Sequence, residues 1–324
     1  MLAPMTQVGT VKSVHRYPVK SMVGENLAEI ELTASGVFGD RIWAARNLEL
    51  GEQQGARKLP RLLLLRAWLP EGSIVGKNAP LVGFPDGTKL PADSREASAR
   101  VSEHVGARVE LVPLPLSDDR SHFENASRAL NAPKLRKELG VLPGEPAPDL
   151  STLGFRKLVE LSKYATPPGT YVDVYPVHVL TTSSLRYVAR RSANPNIDSR
   201  RYRPNVVIDT GTTPALLEPD WESASLDIGE CRIRVETRTI RCSIPGRAQA
   251  IDGIEADKAV VRAVAEHADR HLGAYATVER SGTVRVGDVV RLVPRSKRPV
   301  ADAVRKVQQS VVRAVVRALL RDAR

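Results

Sequence analysis

A chain of 324 residues is long enough for two packed domains, and with 42% apolar and 26% charged residues it sits among ordinary globular proteins, away from disordered, collagenous and disulfide-scaffold chains. Two cysteines can neither staple so long a chain nor hold an iron–sulfur cluster unaided. Of the net charge of +11, residues 295–324 carry +7, so the rest of the chain is close to balanced and nucleic acid is not an expected partner.

The first hundred residues read mostly as strands. Residues 8–14 are β-branched and end near Pro18, and 27–33 alternates Leu27, Glu29 and Glu31 with Ala28, Ile30 and Leu32, as a half-buried strand does. Gly36 and Gly39 mark a turn before a strand at 41–45. A strand pair follows through 62–68 and around Leu81, punctuated by Gly83, Pro85, Asp86-Gly87 and Pro91. A helix at 93–105, capped by Asp93 or Ser94, precedes a strand at 108–112.

Six prolines between Pro113 and Pro148 sit among charged residues, which reads as a linker or mobile insertion with one helical piece near 132–138. Order returns at Val172, with a buried strand at 177–180, a polar turn at 181–184 and a helix at 184–191 capped by Ser183 or Ser184. Further strands are expected at 205–209, 225–229, 231–236 and 284–290. Between them, 258–272 spaces Ala259, Val260, Ala263, Val264 and Ala268 at helical intervals. Many short strands with few helices predict an α+β, mainly β, barrel-like protein.

The segment 295–324 repeats Val300, Val304, Val307, Val311, Val315 and Leu319 at steps of three or four, with Lys and Arg between them, as in a C-terminal basic amphipathic helix. Such a helix docks on its own protein or a dimer partner, or lies on a membrane surface or an acidic partner. No run reaches the roughly 18–20 apolar residues of a membrane span, and 59–69 is interrupted by Arg61 and Arg66. Residues 1–6 lack the basic start and apolar core of a secretory signal, so a cytoplasmic location with reduced thiols is expected.

His267 and His271 lie four apart on the expected helix, as two zinc ligands can, but Ala268 stands where the H-E-x-x-H pattern needs Glu. Neither a Gly-x-Gly-x-x-Gly nor a Walker loop occurs. Cys242 is more informative. It follows a strand, precedes the turn at Pro245-Gly246, and lies near Arg238, Arg241 and Arg247, whose charges favour a thiolate that acts as nucleophile or soft metal ligand. A lone cysteine is also common as inert filler, and Cys231, within a strand beside Glu230, reads that way.

Lys20 and Ser21 after the first strand, Arg41 after a glycine turn, and Arg200, Arg201 and Arg203 before another strand supply cations and hydroxyls from separate strand ends, as an anionic cofactor requires, although each cluster taken alone also reads as a surface ion pair. The blocks Tyr17-Pro18-Val19-Lys20-Ser21, Asp40-Arg41 and Trp43 resemble the N-terminal β-barrel domain that accompanies MOSC (molybdenum cofactor sulfurase C-terminal) domains. Residues 176–185, Arg201-Tyr202-Arg203-Pro204-Asn205, Ile240-Arg241-Cys242, Gly273-Ala274-Tyr275 and 284–288 are similar, in order, to the MOSC domain itself.

The resemblance implies a MOSC N-terminal β-barrel-like domain at 7–112 and a MOSC β-barrel domain at 170–294, joined by the Pro-rich segment 113–169 and followed by the tail 295–324. It implies a molybdenum cofactor of the molybdopterin type, with Cys242 as the sulfur ligand and catalytic metal site. Lys20, Ser21, Arg41, Ser183, Ser184, Arg203 and Arg241 match positions that hold the pterin and its phosphate, and Tyr275 matches a further position lining the site. By similarity to amidoxime-reducing components, the expected activity is a two-electron reduction of a small N-hydroxylated or N-oxide substrate. The electrons would come from an external ferredoxin-like donor or flavoprotein reductase. Two alternatives stay open: a sulfurtransferase carrying a persulfide on Cys242, and a non-enzymatic carrier of the cofactor.

Overall fold

The computed structural model describes residues 5–294 apart from 75–76, 116–118, 125–132, 134–135, 137–138, 142–147, 193, 195–196 and 252–253, together with 310–312 and 314. The β-branched N-terminal run forms the strand Thr6–Arg16, and its buried Val11 and Val14 point into a closed barrel. Around that barrel the strands follow the order Val206–Asp209, Val177–Thr181, His271–Arg280, Cys231–Ile240, Ser225–Ile228, Val289–Val293 and Thr6–Arg16. Thr6–Arg16 pairs back onto Val206–Asp209 to complete seven strands. Val11, Val14, Ile208, Leu226, Ile233 and Val290 belong to one buried cluster that fills it. The mainly β, α+β class read from the sequence is what the chain adopts.

The N-terminal strand thus closes a barrel whose other strands all lie beyond residue 176. Glu25–Leu27 pairs with it, while Glu29–Thr33 pairs with Gly282–Arg285. What reads as one strand at 27–33 is therefore two, each with its own partner. The rest of the N-terminal half has a separate core around Met22, Leu62, Leu65, Val82, Val101 and Leu111. There Trp43–Asn47 pairs with Val109–Pro113 and Glu52–Gln53, and α1 (Arg95–Val105) buries Ala97 and Val101, its N-terminus capped by Ser94.

Local corrections have identifiable causes. Pro60 starts a 3-10 helix at Pro60–Leu64, because proline supplies no amide to a strand ladder, and only Arg66–Trp68 of the expected strand forms. The described residues between 113 and 169 do more than connect: Phe123 is fully buried with Tyr171 and Ala44, and Gly154–Lys163 forms a helix, α2. Of the helical piece expected near 132–138, Pro133 and Arg136 are described, both helical; the other residues lie outside the described set.

Helix α3 (Thr182–Ala189) begins before the expected 184, because the Thr181 hydroxyl accepts the Ser184 amide at 3.1 Å and caps it in place of Ser183 or Ser184. Helix α4 (Lys258–His267) stops short of 272, and the chain turns through Asp269 and Arg270, at φ 48° and 58°, into the strand His271–Arg280. His267 and His271 therefore do not share a helix face. The strand expected at 284–290 is divided into Gly282–Arg285 and Val289–Val293 by a turn. The amphipathic helix expected over 295–324 lies outside the described residues except at 310–312 and 314, which are helical. Among the described residues no helix is long and apolar enough to cross a membrane.

Candidate functional site

The turn after the first strand brings Lys20 beside the N-terminal core: its amide donates to the Trp43 carbonyl at 2.8 Å and Val19 bridges to Trp43. The Lys20 ammonium, only 11% exposed, donates to the Tyr171 carbonyl at 2.8 Å and pairs with Asp173 Oδ1 at 2.6 Å. Burial lowers the Lys20 pKa against the pull of Asp173. Burial alone would raise that of Asp173, but the charges of Lys20 and Arg57 hold the carboxyl well below the usual range. Ser21 is buried with its hydroxyl accepting the Ala56 amide at 2.8 Å.

Arg41 pairs with the adjacent Asp40 carboxylate, and its two amino groups reach Asn205 Oδ1 and the Arg203 carbonyl, both at 3.5 Å. Arg203 donates one amino group to the Met22 carbonyl at 2.7 Å, whereas Nη2 is buried with no partner. Burial, then the neighbouring Arg41, pushes the Arg203 guanidinium down to about 10. Among the described residues six non-glycine residues have positive φ, and Ser21, Arg41 and Arg203 are three of them. Left-handed backbone at side-chain-bearing residues is unfavourable and collects at functional sites.

Arg241 and Cys242 leave the end of the strand Cys231–Ile240. The Arg241 guanidinium is committed within the protein: Nε donates to the Leu272 carbonyl at 2.8 Å, Nη1 to the Tyr202 carbonyl at 3.0 Å, and Nη2 to His178 Nε2. The other His178 nitrogen lies 3.3 Å from the Arg203 carbonyl, so a neutral imidazole links the two arginines. Burial first, and Arg241 second, hold the His178 pKa well below its usual value. Gly273 makes this packing accessible: at φ 81°, a Cβ there would stand 2.5 Å from His178 Nε2 and 2.6 Å from the Val179 carbonyl.

Cys242 is a free, half-buried thiol within the electrostatic reach of Arg241 and Tyr275. Tyr275 also feels Asp173 and Arg41, and its ring lies 5.9 Å from that of His178 and 6.0 Å from that of Tyr175. Of the other cations expected at the thiol, Arg238 faces Glu222 at 3.5 Å. Ser183 and Ser184 have their hydroxyls tied to their own chain. Thr210 Oγ1 donates to Ser183 Oγ at 2.8 Å, and Ser184 donates to the Glu218 carboxyl.

Contacts thus link Arg41, Arg203, Arg241 and Tyr275, with Lys20 and Cys242 joined to them electrostatically, while Ser183 and Ser184 point to internal partners. Tyr17, Asp173, His178 and Asn205 were not among the site residues expected from the sequence. A single histidine on an apolar strand and a tyrosine just past a strand end carry no spacing signal, and their roles come from neighbours distant in the chain: His178 meets Arg241, 63 residues away, and Tyr17 meets Pro204, 187 residues away. Lys20, Arg41, Arg203 and Arg241 meet three carboxyl groups, Asp40, Asp173 and Glu218, and burial pushes Glu218 towards its neutral form. This excess of buried positive charge, with an orphaned donor on Arg203, fits an anionic ligand. Among the described residues no group of three or more His, Cys, Asp or Glu could hold a metal ion on its own, so protein ligation of a metal here would rest on Cys242.

The MOSC domain model matches residues 167–291 and the MOSC N-terminal beta barrel domain model matches residues 8–112. The chain is 27% identical over 307 residues to human mitochondrial amidoxime reducing component 2, covering 88% of this chain and 84% of that one. It is 25% identical over 323 residues to mouse mitochondrial amidoxime-reducing component 1, covering 89% and 84%. Among solved structures it is similar to the YUAD protein from Bacillus subtilis at 13% identity and a TM-score of 0.41, covering 90% of this chain and 100% of that one.

Proposed function

The chain belongs to the MOSC-domain family and carries its N-terminal β-barrel domain, and from that premise we propose that it holds a molybdenum cofactor of the molybdopterin type and reduces small N-hydroxylated or N-oxide compounds. The observation that carries the proposal is the buried Arg203 Nη2 without a partner, set in a cluster where cations outnumber carboxylates and which leads through Tyr275 to a free thiol. The names of the curated relatives, amidoxime-reducing components, support the reaction class.

Arg203, Arg41 and Lys20 would hold the phosphorylated end of the cofactor, since guanidinium and ammonium donors suit phosphate oxygens. Cys242 would supply the sulfur ligand, which suits a soft-ligand metal. When bound, the group supplies a metal centre that exchanges two electrons. The reaction this chemistry would serve is cleavage of the N–O bond of an N-hydroxylated substrate, which takes up two electrons and two protons and gives the reduced nitrogen compound and water. Arg241, anchored to Leu272, Tyr202 and His178, fixes the strand end from which Cys242 projects.

Electrons would come from an external ferredoxin-like donor or flavoprotein reductase. We further propose a reducing, cytoplasmic setting, in which the thiols of Cys231 and Cys242 stay unoxidised. The test is anaerobic reduction of an amidoxime by the purified full chain with a chemically reduced viologen dye as donor. Amidine should accumulate with the wild type and not with Cys242→Ala. No turnover by protein that contains both molybdenum and pterin would overturn the reductase reading.

A further inference from the structure

Two like charges, Arg41 and Arg203, share a buried corner in which, among the described residues, Asp40 alone pairs directly with either of them. Both also have left-handed backbone, at φ 51° and 54°. Something has to hold two mutually repelling guanidiniums in that arrangement before an anion arrives. Tyr17, 4% exposed, touches both. The Arg203 guanidinium carbon stands 4.3 Å from the centre of its ring and that of Arg41 4.9 Å. An aromatic face attracts cations through its quadrupole, more strongly when the pair is desolvated.

Tyr17 also braces the backbone beside each arginine. Its carbonyl accepts the Arg41 amide at 2.7 Å, and its hydroxyl donates to the Pro204 carbonyl, one residue past Arg203, at 3.0 Å. Its own amide donates to Asp40 Oδ1 at 2.7 Å, which holds the carboxylate that pairs with Arg41. One residue therefore joins two arginines that lie 162 positions apart in the chain.

We propose that Tyr17 is the positioning residue of the anion cradle: its ring and its hydrogen bonds hold Arg41 and Arg203 in the arrangement that receives a phosphate group. The ring would preorganise the two cations, so that the ligand need not order them on binding. This rests on the reading that the cluster binds an anionic cofactor, and the experiment separates the two.

The test is titration of inorganic phosphate into the cofactor-free full chain by calorimetry, in parallel with pterin content of protein from cofactor-replete cells. Tyr17→Leu, which retains an apolar side chain and removes the π face, should bind phosphate about tenfold more weakly and retain less pterin. Tyr17→Phe, which keeps the ring and loses the hydroxyl, should stay within about threefold of wild type. Replacing residue 17 with phenylalanines of increasing fluorination alters the ring's electrostatics with little change of shape, which keeps the question open to test even if Tyr17→Leu fails to fold. Phosphate affinity should fall stepwise along that series. A flat or rising series, with wild type binding phosphate normally, overturns the role of Tyr17. A wild-type chain that binds neither phosphate nor pterin overturns the cofactor reading and this inference with it.

Discussion

Arg203 and Arg41 sit side by side, yet their replacement by methionine should have unequal consequences for the cofactor-free chain: almost none for Arg203 and a marked loss of stability for Arg41. The Arg203 guanidinium is held down at about 10 by burial and by Arg41, and a displacement of that size corresponds to roughly 3 kcal/mol set against folding. The sign follows from a base whose pKa is lower when folded: the penalty is fully present below pH 10 and fades as pH rises towards the unfolded value. Arg203→Met removes that penalty but also a charged hydrogen bond to Met22, about 2 kcal/mol, and a cation–π contact, about 1 kcal/mol. The net change should be within about 1 kcal/mol of zero. Arg41→Met instead strands Asp40, whose side chain is 2% exposed, and breaking such a buried pair costs about 3–5 kcal/mol. Urea unfolding of the two cofactor-free variants measures both values. Equal destabilisation by the two replacements would refute the claim that Arg203 carries an uncompensated charge awaiting an anion.

Gly273→Ala should destabilise the chain by about 3 kcal/mol, because the new Cβ meets a carbonyl that cannot yield and the backbone lies in the left-handed region; unfolding within 1 kcal/mol of wild type would contradict the packing of His178 against Arg241. His15 is buried with its pKa lowered to about 4, mainly by burial. It therefore contributes stability in full above its ordinary value of 6.5, and roughly 3 kcal/mol of that is lost as pH falls to 4. His15→Gln should flatten that part of the pH profile, measured by urea unfolding at each pH. Burial raises the pKa of Glu218, so stability is lost as pH rises from its ordinary value of 4.5 towards the folded value, and Glu218→Gln should reduce that loss. An unchanged pH profile in Glu218→Gln would show that Glu218 ionises without penalty.

Strand positions with alternating or β-branched residues were legible because their pattern is local, as in Thr6–Arg16 and Cys231–Ile240. The closure of the barrel by the first strand was not, since pairing across nearly two hundred residues leaves no mark on either segment alone. The strand His271–Arg280 was hidden by the helical spacing that runs up to Ala268; the left-handed residues Asp269 and Arg270 end that helix, and neither is a glycine or proline to announce it. Cations at strand ends were visible as candidates for Lys20, Arg41 and Arg203. Their paired carboxylates were harder to see: Asp40 lies next to Arg41, but Asp173 reaches Lys20 from the far side of the Pro-rich segment. Ser183 and Ser184 were expected to hold the pterin through the family resemblance and to cap the helix through their position, yet the capping oxygen is that of Thr181 and their own hydroxyls face Thr210 and Glu218.

To act as proposed, one sulfur atom and the neighbouring cations must together grip a phosphorylated metal complex. Elemental analysis and pterin fluorescence of the full chain, purified from cofactor-replete cells, address this directly. Molybdenum and pterin should each approach one per chain in the wild type, with molybdenum falling sharply in Cys242→Ala and pterin falling in Arg203→Met. Wild-type protein that carries neither, or Cys242→Ala protein that keeps its full complement of metal, would contradict it.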